Sequence, residues 1–294
     1  MRIALIVIDC LRYEHSDLLQ FEGFQKLSKV VSVSNWTMPS ISTMLTGLHP
    51  SEHRCCLYPK EEGGTYIQYL NSLAKDRYGQ ITHETLMDKH PYKAITEIPV
   101  FDTLGEWRST NSSKDGVRLS TIANASQYLN DESVEFLYVH FKGGHSPYSY
   151  QGLGNDKEDV VYKNTSKEIQ ALAKMLIPFV KEVSLNFDRV VVMADHGSLW
   201  PEVDKCEVTR GHAWEFGLNN LHVATWLYPN ENIPDKLYDT RVAYNFLERK
   251  EIRSRQLVFS MSPGYGDYNS MAITYLKEGE LVSENYSTKQ PFDL

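Results

Sequence analysis

"IALIVI" (3–8), "VEFLYVHF" (134–141), "RVVVMAD" (189–195) and "HVATWLYP" (222–229) are short, nearly unbroken apolar runs rich in β-branched residues. Strands that read this way are buried on both faces, so the chain must supply helices for each side of the sheet. It does. "KVVSVS" (29–34) reads as a further strand and "PSISTMLTG" (39–47) as the helix after it. "TYIQYLNSLA" (65–74), "RLSTIANASQYLN" (118–130), "KNTSKEIQALAKMLIPFVKEV" (163–183) and "DTRVAYNFLERK" (239–250) also read as helices, with Pro178 a candidate kink in the third of these. This alternation predicts an α/β fold, a mostly parallel central sheet flanked by helices. After residue 250, "QLVFSM" and "SMAITYLKEGELVSENY" alternate and are split by a "KEGE" turn, which predicts a small C-terminal antiparallel subdomain. The expected division is 1–250 for the main domain and 251–294 for a subdomain of the same fold unit. Residues 76–117 are polar and turn-rich, and their weak periodicity names no element.

Composition narrows the function classes. At 294 residues, 41% hydrophobic and 23% charged, the chain is long enough for a sizeable core and is not a disordered type. A net charge of −8 argues against nucleic acid as a partner but leaves room for a small anionic substrate held by local cations. No stretch reaches the ~18 apolar residues of a membrane helix. "MRIALIVIDCLR" is interrupted by Asp9 too early for a signal-peptide core, so a cytoplasmic location is expected. Cys10, Cys55, Cys56 and Cys206 show no paired spacing and read as free thiols.

Ligands of parallel sheets gather beyond the carboxyl ends of the strands. "LIVIDC" places Asp9 there, and "VVVMADHG" places Asp195 and His196. Taken singly, an aspartate at a strand end is more often a turn or capping residue. Two carboxylates and an imidazole at neighbouring strand ends make a metal site the better reading. Thr37, in "VSNWTMPSISTMLTG", opens the helix ahead of Pro39; its hydroxyl would complete four ligands, and coordination would lower its pKa and make it a competent nucleophile. A helix N-terminus also favours an anion in front of it. "FKGGHSPYSY" (141–150) then offers Lys142 and His145, with Gly143 and Gly144 permitting close backbone approach. "RGHAWEFG" (210–217) offers Arg210 and His212. Residue by residue, the alternatives are a loop histidine, a packing residue beside Trp214 and a solvated charge.

"IALIVIDCLRYEH", "WTMPSISTMLTGLHPSEH", "YVHFKGGHSPY", "VVVMADHG", "RGHAWEFGLNNLHVATWLYP" and "DTRVAYNFLERKEI" stand in the order found in sulfatase-like members of the alkaline phosphatase superfamily. The chain resembles that family over nearly its whole length apart from 60–117. The resemblance implies an alkaline phosphatase-like sandwich in which 1–250 is catalytic, and a metal-dependent hydrolase or transferase of phosphate, phosphonate or sulfate esters. It implies Asp9, Thr37, Asp195 and His196 as metal ligands and a covalent intermediate on Thr37. It places Lys142, His145, Arg210 and His212 around the substrate anion, with His145 and His212 serving a second metal in two-metal members.

Two departures shape the expectation. Sulfatases carry Cys or Ser, converted to formylglycine, within C/S-x-P-S-R; here the stretch reads Thr37-Met38-Pro39-Ser40-Ile41. Calcium sulfatases tend to have paired aspartates after the first strand, and here the second position is Cys10. The expected function is therefore hydrolysis of phosphoesters (phosphomonoester, phosphodiester or phosphonate) with one divalent ion, Mn2+ or Zn2+ rather than Ca2+ or Mg2+. The alternatives are a sulfuric ester hydrolase, a phosphoglycerol- or phosphoethanolamine-type transferase, and an inactive binding module.

Overall fold

The structure of the protein, a computed structural model, describes residues 1–53, 83–97, 114–144, 158–199, 216–263 and 269–288. The apolar runs become β1 (Ile3–Ile8), β4 (Phe136–Phe141), β5 (Arg189–Ala194) and β6 (His222–Tyr228). With β2 (Gln25–Val31), β3 (Tyr92–Thr96) and β7 (Tyr238–Asp239) they form one sheet of seven strands, in the order β3-β4-β1-β5-β6-β2-β7. Every residue of β1, β4 and β5 is buried, as their composition requires. Strands β3, β4, β1 and β5 run parallel, whereas β6 is antiparallel to both of its neighbours. An apolar run reports burial and not direction, so the sequence left the reversal of β6 unread.

Among the described residues, four longer helices clothe the sheet: α1 (Thr37–Thr46), α2 (Lys114–Ser126), α3 (Glu158–Asn186) and α4 (Arg241–Leu247). Their sides follow from register. Phe141 pairs with Ile8 and meets Phe179 of α3, whereas Arg189 pairs with Ile3 and lies 4.4 Å over the Phe246 ring of α4. Ile3 and Ile8 point to opposite faces because side chains alternate along a strand. Helix α3 therefore covers one face and α4 the other. Helix α1 packs against α4, and α2 against α3.

Boundaries differ from expectation for local reasons. Strand β2 begins at Gln25 and stops at Val31, pairing with β6 across a register shift between Leu27 and Val30; its polar first half hid it. Helix α2 ends at Ser126 rather than 130, and the Arg2 guanidinium takes the carbonyls of Tyr128, Leu129 and Asp131. Helix α3 runs through Pro178. Within 76–117 the structure places the edge strand β3 and a helical turn, Leu86–Lys89, capped by reciprocal bonds between Thr85 and Asp88. The expected helix at 65–74 lies outside the described residues.

The last strands, β8 (Leu257–Pro263), β9 (Asn269–Lys277) and β10 (Glu280–Thr288), form a separate antiparallel sheet. Glu278 and Gly279 at its hairpin tip have φ of 54° and 88°, the pair of positive values that a tight two-residue hairpin turn needs. Val258 and Ala272 pack with Val31, Leu221 and Leu237. The Ser260 hydroxyl donates to Ser32 O (2.6 Å) and Met261 N to Val33 O (2.8 Å). The small sheet thus braces the segment that leads into α1. No helix among the described residues is long and apolar enough to cross a membrane.

Burial also sets an acid response. His53 is buried against Thr43 (Nε2 to Oγ1 3.0 Å), and burial, with His49 and His83 nearby, lowers its pKa to about 3. Burial likewise lowers His15 and His222 to about 4. These groups stay neutral in the fold but take up protons in the unfolded chain near their ordinary value of 6.5. Their stabilisation is complete above pH 6.5 and falls as the pH drops toward 4, by about 1.4 kcal/mol per pH unit for each group. On going from pH 7 to pH 5, the urea midpoint of the wild type should drop relative to that of His53→Gln; an identical change in the two proteins would contradict the assignment.

Candidate metal centre

β1, β4 and β5 deliver their carboxyl ends to one edge of the sheet. Because β6 is antiparallel, its first residue, His222, lies opposite Val31 at the end of β2. The segment after β2 therefore emerges at that same edge. Asp9, Lys142, Asp195 and the 32–36 turn are brought together by topology alone.

Hydrogen bonds then fix the details. The Ser32 hydroxyl donates to the Asp195 carbonyl (2.6 Å) and lies 2.9 Å from the Ser40 hydroxyl, tying the start of α1 to the end of β5. Thr37 is the first residue of α1, and the helix is capped without a side chain at Trp36. Its leading N–H groups thus face the same edge as its hydroxyl. Asp195 Oδ1 accepts from the amides of His196 (2.8 Å) and Cys10 (3.1 Å), leaving Oδ2 turned inward.

His196 is the hub. Its Nδ1 lies 2.6 Å from the Gly197 carbonyl, which can only accept, so the proton belongs on Nδ1 and the lone pair on Nε2. Nε2 lies 3.3 Å from Thr37 Oγ1, 3.4 Å from Asp195 Oδ2 and 3.7 Å from Asp9 Oδ1. A nitrogen lone pair facing two carboxylates is repulsive unless a cation sits between them. Asp9 and Asp195 are fully buried, and neither Asp9 oxygen nor Asp195 Oδ2 has a hydrogen-bond partner among the described residues. Burial, then the Asp195 charge, pushes the Asp9 carboxyl well above its usual range, with Lys142 opposing. These four residues fit a divalent ion: two anionic oxygens, one imidazole nitrogen of defined tautomer and one hydroxyl, all lacking the positive charge that would satisfy them.

Lys142 is half-buried at the end of β4, and its amide is held by Glu97 Oε2 (2.8 Å). The glycines beside it do something other than expected. A Cβ on Gly143 (φ 43°) would sit 2.5 Å from Ile8 Cγ2 and 2.7 Å from Asp9 O, and one on Gly144 would sit 2.7 Å from Cys10 O. Their close approach is to the Asp9–Cys10 turn, sealed by a bond from Gly144 N to Asp9 O (2.9 Å). His145, Arg210 and His212 lie outside the described residues.

Two further donors face Asp9. Cys10 Sγ and His196 form one cluster with it, and His140 and Asp195 form another, with ligand atoms within 4.8 Å of one another in each. His140 sits inside an apolar run and reads from sequence as core. Register exposes it: His140 pairs with Val7, two residues before Asp9, and so lies on the same face of the sheet.

No family model matches the sequence, and no curated protein matches it. Solved structures do. The C-terminal periplasmic domain of EptC from Escherichia coli, in complex with Zn, has a TM-score of 0.56 at 14% identity over 84% of this chain and 81% of that one. A 2-O GAG sulfatase gives 0.62 at 11% identity, over 98% and 83%. The phosphonate monoester hydrolase of Agrobacterium radiobacter gives 0.56 at 11% identity, over 97% and 88%. The chain has the alkaline phosphatase-like fold. These identities carry the fold and not the reaction.

Proposed function

We propose that this protein is a divalent-metal-dependent hydrolase of phosphoesters that works through a covalent intermediate on Thr37. The observation that carries the reading is the convergence of Thr37 Oγ1, Asp9 Oδ1 and Asp195 Oδ2 on His196 Nε2, at 3.3, 3.7 and 3.4 Å. Asp9, Thr37, Asp195 and His196 would hold the ion, which when bound supplies Lewis acidity toward the Thr37 hydroxyl and the phosphoryl oxygens. Thr37 attacks phosphorus, the alcohol leaves with a proton, and water then releases phosphate or phosphonate from the threonine. The N–H groups that open α1, together with Lys142, His145, Arg210 and His212, meet the charge on the anion.

Support for phosphorus over sulfur is chemical. Thr37 cannot become formylglycine, so the hydrated-aldehyde route of sulfatases is closed, whereas a threonine hydroxyl remains a competent nucleophile toward phosphorus. The solved relatives named for a Zn complex and for phosphonate hydrolysis agree with this chemistry, and the sulfatase among them supplies the competing reading. Turnover of p-nitrophenyl phosphate, bis-p-nitrophenyl phosphate, a phosphonate monoester and p-nitrophenyl sulfate by the metal-loaded protein tests the proposal. At least one phosphorus ester should be hydrolysed in preference to the sulfate, and chelation should stop the reaction. A clear preference for sulfate would overturn it.

A further inference from the structure

We propose that Ser32 is a positioning residue for the nucleophile, holding Thr37 against the metal centre, and that Ser260 of the C-terminal sheet acts on the same chemistry through it. The inference rests on the metal-site reading above and gives the small sheet a part in catalysis that no motif in its sequence marks.

Ser32 follows directly on β2 and is fully buried. Each of its polar groups is committed to a different segment. Its amide donates to Leu221 O (2.7 Å) at the entry to β6, and its carbonyl accepts from the Ser260 hydroxyl of β8 (2.6 Å). Its hydroxyl donates to Asp195 O (2.6 Å), just past the end of β5. Ser40, in the first turn of α1, places its own hydroxyl 2.9 Å from Ser32 Oγ and 3.1 Å from Ser34 O, and that carbonyl is also 2.7 Å from Ser32 Oγ. A serine hydroxyl has one proton to give and can also accept. With the Ser32 proton on Asp195 O, the Ser40 proton falls to Ser34 O or to Ser32 Oγ. Either choice ties the first turn of α1 to the Ser32 turn. One buried oxygen thus meets both the segment that carries Asp195 and His196 and the helix that opens with Thr37.

The sheet by itself does not set this separation. β2, which leads to α1, pairs with β6 and β7 and not with β5. The 3.3 Å between Thr37 Oγ1 and His196 Nε2 therefore spans two segments that no strand ladder joins, and the Ser32 hydroxyl bridges them directly. Precision matters here, since a misplacement of about 1 Å can cost on the order of 10²-fold in rate. Ser260 steadies the bridge from behind. It is fully buried on the inner face of the C-terminal sheet, in register with Ala272, and its hydroxyl is directed to Ser32 O. The next residue adds a bond from Met261 N to Val33 O (2.8 Å).

At full metal occupancy, Ser32→Ala should lower kcat on the best phosphorus ester by about 10- to 100-fold while KM stays within about twofold of wild type. Ser260→Ala should give a smaller loss of the same kind, and Ser260→Thr, which keeps the hydroxyl, should stay near wild type. The Ser32→Ala and Thr37→Ser losses should not multiply, because both loosen the same oxygen. Co2+ alone supplies a reading that needs no turnover. Thr37→Ala defines how the visible cobalt spectrum changes when the threonine oxygen is lost. Ser32→Ala should bind cobalt in the wild-type stoichiometry and move the spectrum part of the way to that limit. Should Ser32→Ala fail to fold, the Ser260 pair carries the same comparison. A folded variant with the wild-type spectrum, or a loss in kcat that simply multiplies with that of Thr37→Ser, would overturn the positioning role. A wild type that binds cobalt but turns over no phosphorus ester would overturn the proposed reaction alone, and the spectrum would still decide the placement of Thr37. A wild type that binds no cobalt would overturn the metal-site reading itself, and this inference with it.

Discussion

Asp195→Ala should abolish tight metal binding and turnover together. The side chain has two jobs: Oδ1 fixes the amides of Cys10 and His196, and Oδ2 stands 3.4 Å from His196 Nε2. Alanine removes a charged ligand and leaves two buried N–H groups without their acceptor, so some loss of stability accompanies the loss of metal. Asp195→Asn separates the effects, because an amide oxygen still accepts both amides while the charge is gone. Even changes to residues that only support a ligand commonly cost 10–100-fold in affinity, so losing the carboxylate itself should cost at least ~100-fold. Elemental analysis of folded Asp195→Asn should find the metal largely absent after dialysis. Normal content would contradict the site.

Thr37 should give the second large effect, split by the choice of replacement. Thr37→Ala removes nucleophile and ligand at once and should lower the rate on the order of 10⁴-fold or more, as when a covalent nucleophile is deleted elsewhere. Thr37→Ser keeps the oxygen at the start of α1 and should stay within about tenfold of wild type, the loss reflecting the freer rotation of a side chain that is not β-branched. Steady-state rates on the best phosphorus ester, at full metal occupancy, distinguish the two. Equal inactivity of both variants would mean that the methyl group, not the hydroxyl, is what the site needs.

How much of this was legible follows from which signals are local. β1, β4 and β5 were readable because burial on both faces leaves only apolar residues. Asp9, Asp195 and His196 stood out because each ends such a run. Thr37 was visible through the helix it opens, although the helix begins two residues before the expected start. What failed were features decided by partners far along the chain. The edge strand β3 is five residues long and partly exposed. The first half of β2 is polar because it is only half covered, and the direction of β6 leaves no mark on its sequence. His140 escaped notice because a histidine within an apolar run is an ordinary core residue until register sets it beside Asp9, and Cys10 was read as a free thiol and as the departure from paired aspartates. The glycine pair was read as room for an anion, whereas its space is taken by the backbone of the Asp9–Cys10 turn.

The central claim is that phosphorus passes through the Thr37 oxygen. Mass spectrometry of an acid-quenched reaction tests it most directly, because a phosphothreonine survives acid. The account predicts a phosphoryl or phosphonyl adduct on the peptide containing Thr37, appearing with substrate and absent from Thr37→Ala. Sustained turnover by Thr37→Ala, or an adduct confined to another residue, would contradict it.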